Sequence, residues 1–389
     1  MTVTPDPTSN AETPTPTEMP ALIPGPSAFH ESSQFRHWRY SKDQLYNLRH
    51  ELNEKSREVT ERNMKAERES LGADGPSPPP PTTYPSVEEE LKLVNFYCDQ
   101  ASKICRQGFG VPEYVESTTI SYIKRFYLKN SVMEWHPKNI MPTCLFLAAK
   151  TTNHPIPIEV FVPKFKNFKS TDILEIEFVI AQSLAFEFWT HGAERSLRGW
   201  FLEFQNKPAN IDILQRNLPS ALDWLSRSRL TDAEFIWSPS QIGLACWRLT
   251  AESVVDEFLD EKYANWTPPD GYDDEDGPMA YPYGIPLPRL RAIIRDIQDL
   301  IRSTPPLEQK QIKEIDKRLK NCINPERVPG TALYIKRKAE LEAKAAEAKA
   351  IKTAKAKEAM EKDELVFGGP VKPADDDPFG PPLPKKESA

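Results

Sequence analysis

The stretch KRFYLKNSVMEWHPKNIMPTCLFLAAK, residues 124–150, decides the fold. Pro137 suits the first position of a helix, where the N–H it lacks would be unbonded anyway. An apolar run over 140–149 follows, and Lys150 ends it. The next strongly apolar helix carries Glu177 among Ile173, Ile176, Ile180 and Leu184. At helical spacing these positions share one stripe, so the carboxylate falls inside an apolar face. A carboxylate there is costly unless it is paired or meets another molecule. Lys150 is the intrachain candidate for that pairing, and a partner's backbone groups are the alternative. The two readings are compatible, since a half-satisfied pair can be completed on binding. Two opposite charges at the edge of a helical core, without other catalytic groups nearby, suggest a docking surface.

Outward from this stretch, helical patterns fill the chain. Ser41 with Gln44 and Ser86 with Glu89 make capping boxes. Leu45, Leu48 and Leu52 follow the first, and Leu91, Val94, Cys98, Ala101 and Cys105 the second. Pro112 suits the start of a helix to about Lys129, Pro137 opens one to Lys150, 158–165 is a short fourth, and 172–185 a fifth capped by Asp172 with Glu175. The pattern then restarts. Leu197, Trp200, Phe201 and Phe204 mark one helix, and Leu214, Leu218, Leu222 and Leu225 another. After a short helix at 231–237, Ser238, Pro239 and Gln241 open a longer one, and 290–301 is the last of the set. No run shows convincing strand alternation. Two consecutive sets of about five helices predict an all-α tandem repeat. The predicted organisation is a disordered tail over 1–30, an N-terminal helix over 31–70, and a Pro-rich linker over 71–85. A first helical domain over 86–190 and a second over 191–303, with an acidic insertion at 268–288, come next. A C-terminal helix over 304–323, opened by Pro305 and Pro306, leads into 324–389, a solvated Ala/Lys/Glu helix ending in a disordered tail.

Composition narrows the function classes. A net charge of -7 and a pI near 5.6 argue against the basic field that nucleic-acid binding needs. The 38 prolines are explained by disordered tails around a folded middle. The five cysteines form no CxxC pair, and three of them fall within apolar helical stripes and read as buried thiols in a reducing compartment. No window approaches a membrane span and no apolar signal core is present, which predicts a soluble intracellular protein. No enzyme constellation emerges: GFG at 108–110 lacks a third glycine, and GxSxG and HExxH are absent. No cofactor or metal site is read. His136, before a helix-starting proline, is assigned a capping or solvent role. In FRHWR, residues 35–39, the reading is a segment that packs Trp38 on the domain rather than one that stacks on bases.

KRFYLKNSVMEWHP with MPTCLFLAAK resembles the first box of the cyclins, most closely the cyclin H group. SSQFRHWRYS and LTDAEFIWSPSQIGLA resemble that group's N-terminal segment and second box. The resemblance spans about residues 32–321. It implies two five-helix cyclin boxes with flanking N- and C-terminal helices. It implies a non-catalytic regulatory subunit that binds a cyclin-dependent kinase through Lys150 and Glu177, with Phe186, Phe188 and Ala181 at apolar kinase-facing positions. It further implies a RING-containing assembly subunit and core transcription factor IIH as partners, a nuclear location, and phosphorylation of the RNA polymerase II C-terminal domain and of kinase activation loops. Two departures stand out. Thr151, Thr152 and Asn153 follow Lys150 instead of an aromatic or aliphatic residue and acids, and 88–96 lacks the substrate-docking Met-Arg-Ala-Ile-Leu stretch of cell-cycle cyclins. The alternative is a DNA-binding factor of the TFIIB type, which shares the two-box fold; the acidic pI and the lack of an N-terminal zinc ribbon speak against it.

Overall fold

The computed structural model describes residues 29–71, 83–269, 274, 277 and 279–366. All regular structure among them is helical. Residues 1–28 of the tail expected over 1–30, most of the expected linker (72–82), parts of the 268–288 insertion and the end from 367 lie outside the described residues. The described residues fall into two compact units, one within 29–56 and 83–320, the other within 57–71 and 321–366.

In the first unit, α1 (Ser33–His37) leads into α2 (Lys42–Leu71), which runs on beyond the unit. The first box is α3 (Val87–Lys103), α4 (Glu113–Phe126), α5 (Pro137–Thr151), α6 (Ile158–Phe161) and α7 (Ser170–Ser183). Its axis is α5, which packs against α3, α4 and α7 and is buried from Ile140 to Ala149. Pro137 opens α5 and the His136 ring caps it, Nδ1 accepting from the Lys138 N–H at 3.0 Å. Ser86 and Glu89 form a complete capping box on α3. The expected fourth helix is α6 followed by a 3₁₀ turn at Val162–Lys164, since Pro163 leaves no donor to continue the α-helical ladder. The fifth helix begins earlier than expected. Lys169 is the N-cap and Asp172 the third helical residue, whose carboxylate accepts from the Lys169 N–H at 2.8 Å. Likewise α4 stops at Phe126 rather than Lys129.

The second box comprises α8 (Ala193–Phe204), α9 (Ile211–Ser228), α10 (Ala233–Ile236), α11 (Pro239–Arg248), α12 (Glu252–Ala264) and α13 (Leu287–Ser303). It repeats the plan of the first: α11, opened by Pro239 inside a Ser238–Gln241 capping box, is the axis against which α8, α9, α12 and α13 pack. Its core includes Trp200, Phe204, Leu225, Trp247, Leu259 and Ile294. Glycine is required at 243, where a Cβ would approach the Leu197 backbone nitrogen at 2.9 Å. Helix α14 (Gln309–Leu319) packs on α3, with Ile312, Ile315 and Leu319 buried. Pro305 and Pro306 precede it outside any regular element instead of opening it.

The opening stretch ties this unit together. Lys124, almost fully buried, donates to the Thr231 carbonyl at 2.6 Å and pairs with Glu234 at 2.7 Å. Arg125 stacks under Trp38 at 5.0 Å and Leu128 joins Trp38, Leu45 and Phe235 in a small core. Between the boxes Arg229 pairs with Glu113 and Glu116, and Arg106 adds a second cation to Glu116 at 2.7 Å.

In the second unit, Asn63 donates to Asn324 at 3.0 Å. Glu67 accepts from the Ala332 and Leu333 N–H groups, 2.8 and 2.9 Å, and so caps α15 (Ala332–Val366) from another element. Through residue 357, where side chains are described, α15 is mostly solvent-exposed.

Candidate docking face

Helix α5 is buried from Ile140 to Ala149, and Lys150 emerges in its last turn. Its ammonium donates to Glu177 Oε1 at 2.6 Å and lies 4.8 Å from the centre of the Phe146 ring. The Lys150 side chain is 42% exposed and that of Glu177 19%. An ion pair this open contributes about 0–1 kcal/mol to stability, so holding the fold together does not explain it. Lys150 keeps further N–H donors, and Glu177 further lone pairs, for another molecule. The residues that follow bend back: the Thr151 and Thr152 hydroxyls donate to the Leu147 and Ala148 carbonyls, satisfying the end of α5.

Helix α7 explains the Glu177 stripe. Ile173 and Ile180, with Leu184 just beyond the helix end, face the core, while Ile176 and Glu177 are half-buried at its edge. A second apolar face is open: Leu174 is 48% exposed and Phe178 61%. Sequence reasoning did not single out these two. Their i, i+4 spacing was the available signal, hidden because α7 is apolar on both sides and such helices ordinarily read as buried. Phe186, 55% exposed, stands 6.0 Å from Phe178 between ring centres. Phe188 is half-buried against Tyr122 and also lines a cleft of about 1390 Å³ between the boxes. Ala181 is buried, so it offers the open face little surface.

Phe186 is displayed by unusual backbone. Ala185 and Phe186 both adopt left-handed conformations, φ 53° and 59°. Each costs a residue with a Cβ about 1–2 kcal/mol. The Phe186 N–H donates to the Ala181 carbonyl at 2.9 Å, closing the end of α7 while the ring turns outward.

Other candidate chemistry is structural. His136 caps α5 and bonds Asp316 through Nε2 at 2.8 Å. Cys98, Cys105 and Cys144 are buried free thiols, and desolvation pushes those of Cys98 and Cys105 up to about 12, away from reactivity. No metal-holding group of three or more His, Cys, Asp or Glu occurs among the described residues. Nor is any described helix long and apolar enough to cross a membrane.

Two family models match the chain in succession. The family model described as "Cyclin, N-terminal domain" matches residues 103–188, and that described as "Cyclin C-terminal domain" matches 193–302. Cyclin mcs2 of Schizosaccharomyces pombe is 30% identical over 318 residues, 81% of this chain and 91% of the relative. The chain belongs to the cyclin family. Among solved structures, a chain of the yeast TFIIK (Kin28/Ccl1/Tfb3) complex is 29% identical, with a TM-score of 0.54 over 70% of this cyclin and 99% of that chain. A chain of the ATP-gamma-S-bound CAK complex of Chaetomium thermophilum has the same fold, with a TM-score of 0.66 at 24% identity over 81% and 94%. In this cyclin the open face therefore belongs to the third and fifth helices of the first box, and α1 and α2 are elements added before it.

Proposed function

We propose that this cyclin is the non-catalytic regulatory subunit of a cyclin-dependent kinase in a transcription-linked, CDK-activating module of the TFIIK type. The observation that carries the reading is the open apolar face of Leu174, Phe178 and Phe186 around the Lys150–Glu177 pair. An exposed cluster of large apolar side chains with polar groups at its edge is the signature of a protein-binding surface. A kinase helix laid against it would bury the two phenyl rings. Lys150 would donate to, and Glu177 accept from, backbone groups of that helix, so the charged pair finds its full complement only in the complex.

Held inward by this contact, the kinase helix brings its own Glu to the ATP-binding Lys and sets the metal-binding Asp for phosphoryl transfer. The cyclin contributes no reacting group; its effect is its differential affinity for the active kinase conformation. Lys150, Glu177, Phe178 and Phe186 are assigned to the contact, with Phe188 at its edge and Ala181 behind it. The sequence resemblance extends the proposal to a RING-containing assembly subunit, core transcription factor IIH, nuclear action, and the RNA polymerase II C-terminal domain and kinase activation loops as substrates. The relatives named above, which include a chain of a Kin28/Ccl1/Tfb3 complex, support a Kin28-type kinase and a third subunit as partners. They do not favour the DNA-binding alternative. The test is co-purification with a Kin28-type kinase, followed by assay of C-terminal-domain peptide phosphorylation with wild-type and Phe178→Ala cyclin. Wild-type cyclin is expected to stimulate the kinase and the variant to do so only at much higher concentration. Equal stimulation by both would overturn the assignment of this face.

A further inference from the structure

Two adjacent left-handed residues, neither of them glycine, need neighbours that hold them in place. Glu187 follows directly, and both its carboxylate oxygens are engaged at the end of α1, by His37 and by Trp38, the helix C-cap. Trp38 Nε1 donates to Oε2 at 2.6 Å, and His37 Nδ1 lies 2.5 Å from Oε1. The Glu187 carbonyl accepts from Arg125 at 3.4 Å. Trp38 is only 1% exposed, and its ring centre lies 5.0 Å from the Arg125 guanidinium and 4.5 Å from the Lys129 ammonium. Four residues further on, the Gln34 side chain accepts from the His191 N–H at 2.7 Å and donates to the His191 carbonyl at 3.4 Å. The segment is thus stapled to α1 at both ends. Between the staples Phe188 and Thr190 are tied to α4, through Tyr122 and Thr118. Residues 185–187 have no such tie from α4 side chains beyond the long Arg125 bond.

We infer that Glu187 is a positioning residue for kinase engagement: gripped by Trp38 and His37, it holds the left-handed turn that displays Phe186. This rests on the reading of Phe186 as kinase-facing. It makes α1 part of the activating apparatus through a chain of contacts, Trp38 to Glu187 to the Phe186 backbone, without α1 itself meeting the kinase. The physical role is preorganisation. A turn that is strained when free relaxes unless held, and a relaxed turn must be reordered on every binding event, which lowers affinity.

The test uses the full-length cyclin and a purified Kin28-type kinase, with dissociation constants measured well below each variant's melting temperature. Trp38→Phe removes the indole N–H while keeping an aromatic ring beneath Arg125; Glu187→Ala removes the acceptor. Each is expected to weaken binding about tenfold, and the double variant no further, because both cut one link. Glu187→Gln, which keeps an acceptor for Trp38, is expected to stay within about threefold of wild type. Ala185→Gly added to Glu187→Ala should regain most of the loss, since glycine takes positive φ without support. A merely structural role predicts neither recovery. If Phe186→Ala weakens binding but Trp38→Phe and Glu187→Ala leave it within twofold, the positioning role is overturned and the docking face stands. If Phe186→Ala and Phe178→Ala are also silent, the docking reading fails and this inference with it. A loss that tracks melting temperature and is not regained by Ala185→Gly likewise overturns it.

Discussion

The two boxes finish the same construction differently. Each has a proline-opened axial helix ending in a cation beside the last helix of its box. In the second box that cation, Arg248, is closed off. It makes two bonds of 2.9 Å to Asp256, pairs with Glu252, and reaches the buried Gln298 of α13 at 3.3 Å. In the first box Lys150 has Glu177 as its one described carboxylate partner and twice the exposed fraction, 42% against 21%. The outer faces differ in the same sense. Helix α13 turns Arg295, Asp296 and Asp299 to solvent, whereas α7 turns out Leu174 and Phe178. On the proposed reading, one box is finished as a surface and the other is left as half of an interface. A duplicated fold can thus keep its core plan and divide scaffold from docking between its copies.

The contrast can be broken most directly at Phe178. Phe178→Asp should lower kinase affinity by about 2–4 kcal/mol, the range of a central interface anchor, while leaving the melting temperature of the free cyclin within about a degree or two. Arg295→Ala on the matching face of α13 should change neither. Calorimetric titration and thermal melts decide the point, and equal effects at the two sites would dissolve the comparison.

The two cations provide a crossed test. Arg248→Ala leaves Asp256 and Gln298 with unpaired polar atoms, and should cost about 2–3 kcal/mol of stability with kinase affinity intact. Lys150→Ala should do the reverse, costing little stability and about 2 kcal/mol of affinity. Should Lys150→Ala melt as early as Arg248→Ala, the first-box pair is structural after all.

A smaller effect is expected inside the second box. Gly243→Ala pushes a Cβ to 2.9 Å from the Leu197 backbone nitrogen. Separating α8 from α11 should cost about 1–3 kcal/mol, seen in urea denaturation. Because the defect is remote from α5 and α7, binding by the folded fraction should be unchanged.

The smallest concerns Glu90 on α3. Burial, offset in part by a 2.6 Å bond from Ser131, raises its carboxyl to about 7. Between the ordinary carboxylate range and that value the folded chain binds more protons than the unfolded one. This contribution is therefore complete at low pH and lost as pH rises through about 7. Glu90→Gln should remove the dependence and gain about 1–2 kcal/mol relative to wild type at pH 8 but not at pH 4, measured by denaturant melts. A difference that does not change with pH would show that Glu90 is not held protonated.

Some of the site was legible because it broke a pattern. Glu177 stood out as a charge within an apolar stripe, and Lys150 as the end of an apolar run. Phe178 did not, because one more apolar residue in an apolar helix carries no contrast. Glu187 was invisible for another reason: its partners, His37 and Trp38, are about 150 residues away, and an isolated glutamate in a loop has no local signature. The fifth helix start was misplaced because Asp172 and Glu175 imitate a capping pair, while the actual reciprocal bond runs from Asp172 back to Lys169. Phe29 and His30, assigned to a disordered tail, pack edge-on against Phe35, and Phe29 also meets His191, a contact no composition rule reveals.

What the sequence determined by itself is what depends on neighbours three or four residues away: the helices, their proline and serine starts, and the two-box repeat. Helical periodicity and capping are local, so they are written in the order of the residues. Tertiary structure alone decided which apolar face stayed open, which cation was closed off, and that the carboxylate after the left-handed pair at 185 and 186 meets His37 and Trp38. Exposure and pairing depend on which helices meet, and that is settled by packing across the whole chain.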